Sequence, residues 1–199
     1  MARLTRTESQ ARTRADLLST ARDLFLTDGY AKTSLERVAE EAGYSKGAVY
    51  SNFRTKSALC LEVLGLIHET KFAEAAELLE GDGTLEERLA RFQDWAERTL
   101  GDVGWTMLEF EFAIVARDDP ALQAALVSSL AVVRGMIGAR LQGLADATAL
   151  TLPLPAEDAA TAVLSLGVGL GILRAIDPGL SAGLITDAVR AMLSGSVTL

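Results

Sequence analysis

Side chains that do covalent or metal chemistry are scarce in this chain, which has one histidine and one cysteine among 199 residues. A Cys–His pair makes an activated nucleophile when the two share a hydrogen bond. Cys60 and His68 lie eight residues apart on one predicted helix, about 12 Å along its axis, so they cannot pair. Paired carboxylates serve general acid–base catalysis when they face one another. Glu40–Glu41, Glu86–Glu87 and Asp118–Asp119 are sequence neighbours in helices or at helix ends and read as solvated charge. No cluster of His, Cys and carboxylates has metal-ligand spacing. The expectation is therefore no enzyme, no catalytic residue, no cofactor and no metal.

A different chemistry is present in residues 33–59, TSLERVAEEAGYSKGAVYSNFRTKSAL. Donors for phosphate and small side chains for close approach are what a major-groove reader needs. The stretch reads as two short helices joined by a tight turn, the layout that puts a second helix in the groove. Thr33 with Glu36 predicts a capping box at the first helix. Leu35, Val38, Ala39 and Ala42 then form one apolar stripe, and Gly43 supplies the left-handed stop. Ser45 is the predicted cap of the second helix, which runs from Lys46 to about Phe53. Val49 and Phe53 anchor it, which leaves Lys46, Gly47, Tyr50 and Ser51 on the other face.

These residues resemble the DNA-binding domain of the TetR family of bacterial transcriptional regulators. The resemblance covers roughly residues 13–60 and rests on Phe25, Gly29, Thr33, Val38, Ala39, Gly43, Tyr50, Phe53 and Lys56 at family-like spacing. It implies that Tyr50 touches the DNA backbone and that Thr33 and Lys56 meet phosphates. Ser45 and Lys46, at the start of the recognition helix, are placed to meet phosphate or a guanine edge. Gly47 and Ala48 permit close approach, and Ala48 can touch a thymine methyl. Ser51 and Asn52 are the positions expected to aid specificity, and Tyr44 lies in the turn to pack or to meet a phosphate.

The formal net charge of −8 conflicts with DNA binding until it is divided. Residues 1–56 carry 10 Lys/Arg against 7 Asp/Glu, a balance of +3, and residues 57–199 carry 9 against 20, a balance of −11. The basic excess sits on the part that would meet phosphate. Arg3, Arg6, Arg12 and Arg14 precede or open the first helix, either as a mobile arm that reaches DNA or as a frayed, solvated terminus. The boundary drawn from this division separates a DNA-binding domain, 1–56, from a ligand-binding and dimerisation domain, 57–199.

The elements that must hold these residues are all predicted to be helical. With 49% hydrophobic residues, 23% charged residues and only 4 prolines, the chain has a core to bury and few helix breakers. Helices are predicted over about 13–28, from Thr33, 46–53, 56–79, 85–100, 105–117, 120–146, 156–176 and 181–193, about nine in all. Thr84 with Glu87 predicts a second capping box. No segment alternates with the period of two that marks a strand. The polar start has no apolar core of a signal peptide, and the lone cysteine suits a reducing compartment, so a cytoplasmic location is expected. The apolar run 159–173 is 15 residues long, short of the roughly 20 that span a bilayer, so no membrane partner is expected. Its glycines lie inside a helical run, unlike those of a dinucleotide loop.

The middle of the chain gathers aromatic residues. The resemblance implies a small-molecule cavity among helices 4 to 8. The candidate lining residues are Phe72, Phe92, Trp95, Trp105, Leu108, Phe110 and Phe112, each of which also reads as ordinary core, with His68, Glu109 and Arg134 as the polar groups placed to orient a ligand. The resemblance also implies a homodimer through the last two helices. Leu164, Gly167, Leu170, Gly171, Leu173, Leu184, Ile185, Val189 and Met192 are the candidates for that interface, with helix 8 also read as core of its own subunit. Together these imply a ligand-responsive regulator, commonly a repressor in this family, that binds a palindromic double-stranded operator and is released by an apolar or amphipathic effector. The alternative is a small-molecule-binding helical protein with a vestigial helix-turn-helix.

Overall fold

The computed structural model describes residues 5–148 and 150–193, and among them it is all-α, with nine helices and no strand. They are α1 (Arg6–Lys32), α2 (Leu35–Glu41), α3 (Lys46–Asn52), α4 (Lys56–Glu80), α5 (Leu85–Thr99), α6 (Val103–Ala116), α7 (Pro120–Ala147), α8 (Ala156–Ile176) and α9 (Gly183–Leu193). The chain divides into two compact units. One holds the chain up to Ile67 together with Met107–Leu126, and the other holds His68–Thr106 and the chain from Val127 onward. Helices α4, α6 and α7 thus each contribute to both.

In the first unit α1 begins well before its apolar stripe does. Thr5 and Glu8 form a reciprocal capping box, with the Thr5 N–H donating to Glu8 Oε2 at 2.7 Å. Arg6, Arg12 and Arg14 thus stand within α1 rather than in an arm or frayed end ahead of it. Arg6 and Arg12 are helical, and Arg12 faces Asp16 one turn on. Arg14 donates twice to Glu62 at 2.7 Å, and its guanidinium lies 4.5 Å from the Phe53 ring centroid. Arg3 lies outside the described residues.

The helical path of α1 breaks at Gly29, whose φ of 84° and ψ of 169° interrupt it before a last short turn. Thr33 closes that turn, and its hydroxyl donates to the Gly29 carbonyl at 2.9 Å. The predicted capping box of Thr33 with Glu36 does not form: Ser34, one residue on, is a simple N-cap of α2, accepting from the Arg37 N–H. The apolar side chains of the three helices pack together. Leu17, Ala21 and Phe25 of α1, Val38 and Ala39 of α2 and Val49 of α3 are buried, and Phe53 closes the same core. Cys60, on α4, is fully buried, and burial pushes its thiol up to about 12.

In the second unit Leu89, Phe92 and Ala96 of α5 join Leu170 of α8 and Ile185, Val189 and Met192 of α9 in one core cluster. The Thr84–Glu87 capping box is present at α5. Arg174 ties the ends of these helices together. Its buried guanidinium donates to the carbonyls of Leu100 and Glu97, each at 2.8 Å, and to that of Leu180. Its charge faces Glu97, whose carboxylate also accepts from Ser181 and the Ala182 N–H. Gly101 makes this approach possible: a Cβ there would sit 2.5 Å from that of Arg174.

Candidate nucleic-acid interface

Helix α3 presents two unlike faces. Ser45 caps it by accepting the Ala48 N–H at 3.2 Å, and Val49 turns fully inward. Gly43 has a φ of +75°, so the chain turns from α2 into α3 through a left-handed residue. Ser45, Lys46, Gly47, Tyr50 and Ser51 are exposed on the opposite face, with Ala48 and Asn52 half-buried at its margins. This is the surface expected of a groove-reading helix: small side chains for approach, and one cation and several hydroxyls as donors.

Several of these side chains already have partners. The Tyr50 hydroxyl donates to Glu36 Oε1 at 2.6 Å. That bond lowers the Glu36 carboxyl below its ordinary value and raises the Tyr50 phenol above its own. The Tyr44 hydroxyl donates to Asp16 Oδ2 at 2.7 Å, which secures the turn to α1. Ser51 and Asn52 both fold back on the Ala48 carbonyl, at 2.9 and 2.8 Å. Lys56 Nζ donates to the Tyr30 carbonyl at 2.9 Å and stands 4.1 Å from the Tyr30 ring centroid, so this ammonium helps hold α4 to the end of α1.

Thr33 is the clear departure among the DNA candidates. Its side chain is 1% exposed and its hydroxyl points to Gly29, which leaves nothing of the side chain for a phosphate. Sequence reasoning missed Glu36 and Asp16, which hold the two tyrosines. Their partners lie 14 and 28 residues away, and no local pattern marks them.

The effector candidates fall into both units. Leu108 and Phe112 are fully buried in the first, where the Phe112 ring meets Tyr30 edge-on at 5.9 Å. Phe112 is thus part of the core of the helix-turn-helix unit. Glu109 is half-buried there, and Phe110 is exposed. In the second unit the His68 ring lies 6.0 Å from Phe72 and 6.2 Å from Trp105, between centroids. Phe92 stacks on Trp95, whose indole N–H donates to Glu74 at 3.0 Å. Arg134 faces Glu157 at 3.8 Å.

The dimer candidates divide as well. Leu170, Ile185, Val189 and Met192 are buried in their own unit, and the full side chain of Ile185 is spent there. Gly167 and Gly171 also face inward, toward Ile185 and Thr106, so neither is the outward glycine expected. Leu164 is half-buried, and Leu173 and Leu184 are exposed. Val168, Ile176 and Leu180 are exposed beside them, unanticipated from the sequence.

Helix α8 is longer than the apolar run read from the sequence. By length and composition α7 and α8, at 28 and 21 residues with mean hydropathies of 1.5 and 1.8, could each cross a membrane. A core helix meets the same criterion, and α8 carries buried Arg174, whose guanidinium is fully engaged by backbone and carboxylate. Among the described residues no group of three His, Cys, Asp or Glu is arranged to hold a metal.

Residues 17–63 match the family described as bacterial regulatory proteins, tetR family. The HTH-type transcriptional regulator TtgR of Pseudomonas putida is 40% identical over 70 residues, 35% of this chain and 33% of that protein. The chain thus matches about a third of the length of this relative. The HTH-type transcriptional repressor AcnR of Corynebacterium glutamicum is 27% identical over 144 residues, 72% of each chain. Among solved structures, Salmonella enterica GusR superposes with a TM-score of 0.69 at 22% identity, covering 98% of both chains, which establishes a shared fold.

Proposed function

Because the chain belongs to the TetR family of bacterial regulatory proteins, we propose that it is a dimeric, effector-released transcriptional repressor that works in the cytoplasm and catalyses no reaction. The observation that carries this reading is the exposed face of α3, where Lys46, Gly47, Tyr50 and Ser51 stand opposite the buried Val49. Lys46 and Tyr50 meet phosphates, Ser45 and Ala48 approach the groove floor, and Ser51 and Asn52 leave the Ala48 carbonyl to reach base edges.

Two copies pair through the outer faces of α8 and α9, where Val168, Leu173, Ile176 and Leu184 are left exposed in one chain. A two-fold axis there gives an isologous contact and presents two α3 helices to half-sites about one helical turn, roughly 34–36 Å, apart. An apolar or amphipathic effector binds beside His68, Phe72 and Trp105. Helix α4 is one uninterrupted helix from Lys56 to Glu80, so a shift at His68, in its middle, is carried to its Lys56 end. The effector then stabilises a spacing that no longer fits the operator.

The test is a mobility shift on DNA flanking its own gene across a salt series. A repressor gives a retarded complex that weakens steeply with salt. A protein that binds neither this DNA nor random duplex at about 50 mM salt is not a DNA-binding regulator.

A further inference from the structure

The Tyr50 hydroxyl, on the exposed face of α3, ends on a full negative charge. It donates to Glu36 Oε1 at 2.6 Å, within the range of a charge-assisted O–H···O⁻ bond. Glu36 stands in the first turn of α2, and Tyr50 in the third position from the end of α3. The bond therefore joins the two helices of the helix-turn-helix on the side that carries Lys46 and Ser51. The Lys46 ammonium also acts on the Glu36 carboxylate electrostatically. Thus the hydroxyl and the ammonium assigned to phosphate converge on a carboxylate of the protein itself.

A phenol has a single O–H to give. It can donate to Glu36 or to a DNA phosphate, and not to both. Lys46 has three N–H donors and is not limited in this way. A phosphate arriving at Tyr50 also meets the like charge of Glu36. Resting on the DNA-binding reading above, we propose that Glu36 is a built-in competitor of the DNA phosphate at Tyr50. It occupies the hydroxyl in the free protein, and every binding event must displace it. The contact is with backbone chemistry and not with bases, so it lowers affinity for operator and non-operator duplex by the same factor.

The test uses the full chain with a random duplex of about 30 base pairs and with DNA flanking its own gene, across a salt series. Four proteins are compared: wild type, Glu36→Gln, Tyr50→Phe and the double variant. Glu36→Gln keeps the side-chain size and an acceptor but removes the charge, and it is expected to bind both duplexes about three- to tenfold more tightly. Its salt slope should stay close to that of wild type, because a phenol hydroxyl neutralises no phosphate charge. In the Tyr50→Phe background the gain should shrink to under about twofold, because no hydroxyl remains to be released. Glu36→Ala should reproduce the gain, with an unchanged thermal midpoint marking an intact fold.

Weaker or unchanged binding by Glu36→Gln overturns the proposal, since a residue that only orients Tyr50 gives that result. An equal gain with and without the Tyr50 hydroxyl also overturns it, because simple charge repulsion then explains the effect. Binding by wild type with either of these results leaves the DNA-binding reading standing. Failure of all four proteins to bind any duplex at low salt removes that reading, and this proposal with it.

Discussion

The Glu111 carboxylate of α6 accepts the backbone N–H of Ala31 at 3.0 Å, 80 residues away along the chain. Ala31 lies in the short turn that follows the break at Gly29, so an acidic side chain satisfies a backbone donor that the break exposes. Gly29 occupies backbone space open almost only to glycine, and a Cβ there would lie 2.9 Å from Glu111 Oε1. Gly29→Ala should therefore destabilise the protein by about 1–3 kcal/mol. Adding Glu111→Ala should cost less than the sum of the two single changes, since the clash is then relieved. Urea denaturation of the four proteins measures the coupling, and strict additivity would show that the two residues do not meet.

Lys56 should behave as a fold residue as much as a DNA contact. Its ammonium bonds the Tyr30 carbonyl and lies over the Tyr30 ring. Lys56→Met should lower stability by about 1 kcal/mol as well as weaken DNA. Lys46→Ala, by contrast, should weaken DNA and reduce the salt slope by about one unit with no change in the urea midpoint. A Lys56→Met protein as stable as wild type would return Lys56 to a purely phosphate-binding role.

Assembly is best tested at the side chains that a single chain leaves exposed. Ile176 and Leu184 are 75% and 56% exposed, so a charge there costs the isolated chain little. Ile176→Glu with Leu184→Glu should take the sedimenting mass from twice 21.1 kDa to 21.1 kDa at micromolar protein, with helicity unchanged. Val189→Glu is the contrast: Val189 is 2% exposed within its own core, and that change should unfold the region. A wild type already at the single-chain mass would refute the dimer.

Acid should loosen the α5–α8–α9 junction. The Ser181 hydroxyl, the Ala182 N–H and the Arg174 charge hold the Glu97 carboxyl below its ordinary value of 4.5, against the opposing effect of burial. A carboxyl depressed in the folded state stabilises fully above its unfolded value and loses that contribution as pH falls through its folded value. Stability should accordingly decline below about pH 4.5, and Glu97→Gln should flatten that part of the acid limb. Thermal midpoints between about pH 3 and 7 read this directly; identical profiles would exclude Glu97 as a contributor.

Much of the fold was legible because local chemistry decides it. Thr84 and Glu87 set the start of α5, Ser45 set α3, and the limits 156 and 176 of α8 were read in full. The first turns of α1 were missed because they carry no apolar stripe, although the Thr5–Glu8 spacing was there to be read. Thr33 and Ser34 are adjacent hydroxyls, and either can cap a helix. The choice fell to Ser34 because the Thr33 hydroxyl is drawn inward by the Gly29 carbonyl, a tertiary event. On α8 and α9, apolarity alone does not say whether a side chain meets its own core or a second copy. Ile185 and Leu184 are neighbours in sequence, yet one is buried in its own core and the other is exposed.

The burial of Cys60 has a practical consequence. Its thiol is inaccessible and protonated at neutral pH, so the unaltered protein already behaves as a thiol-free background. One cysteine introduced at exposed Glu41, at the end of α2, would be the sole labelling handle in each chain. In the proposed dimer, a pair of spin labels attached there would report the separation of the two α3 helices directly, with and without a candidate effector, before any operator sequence is known.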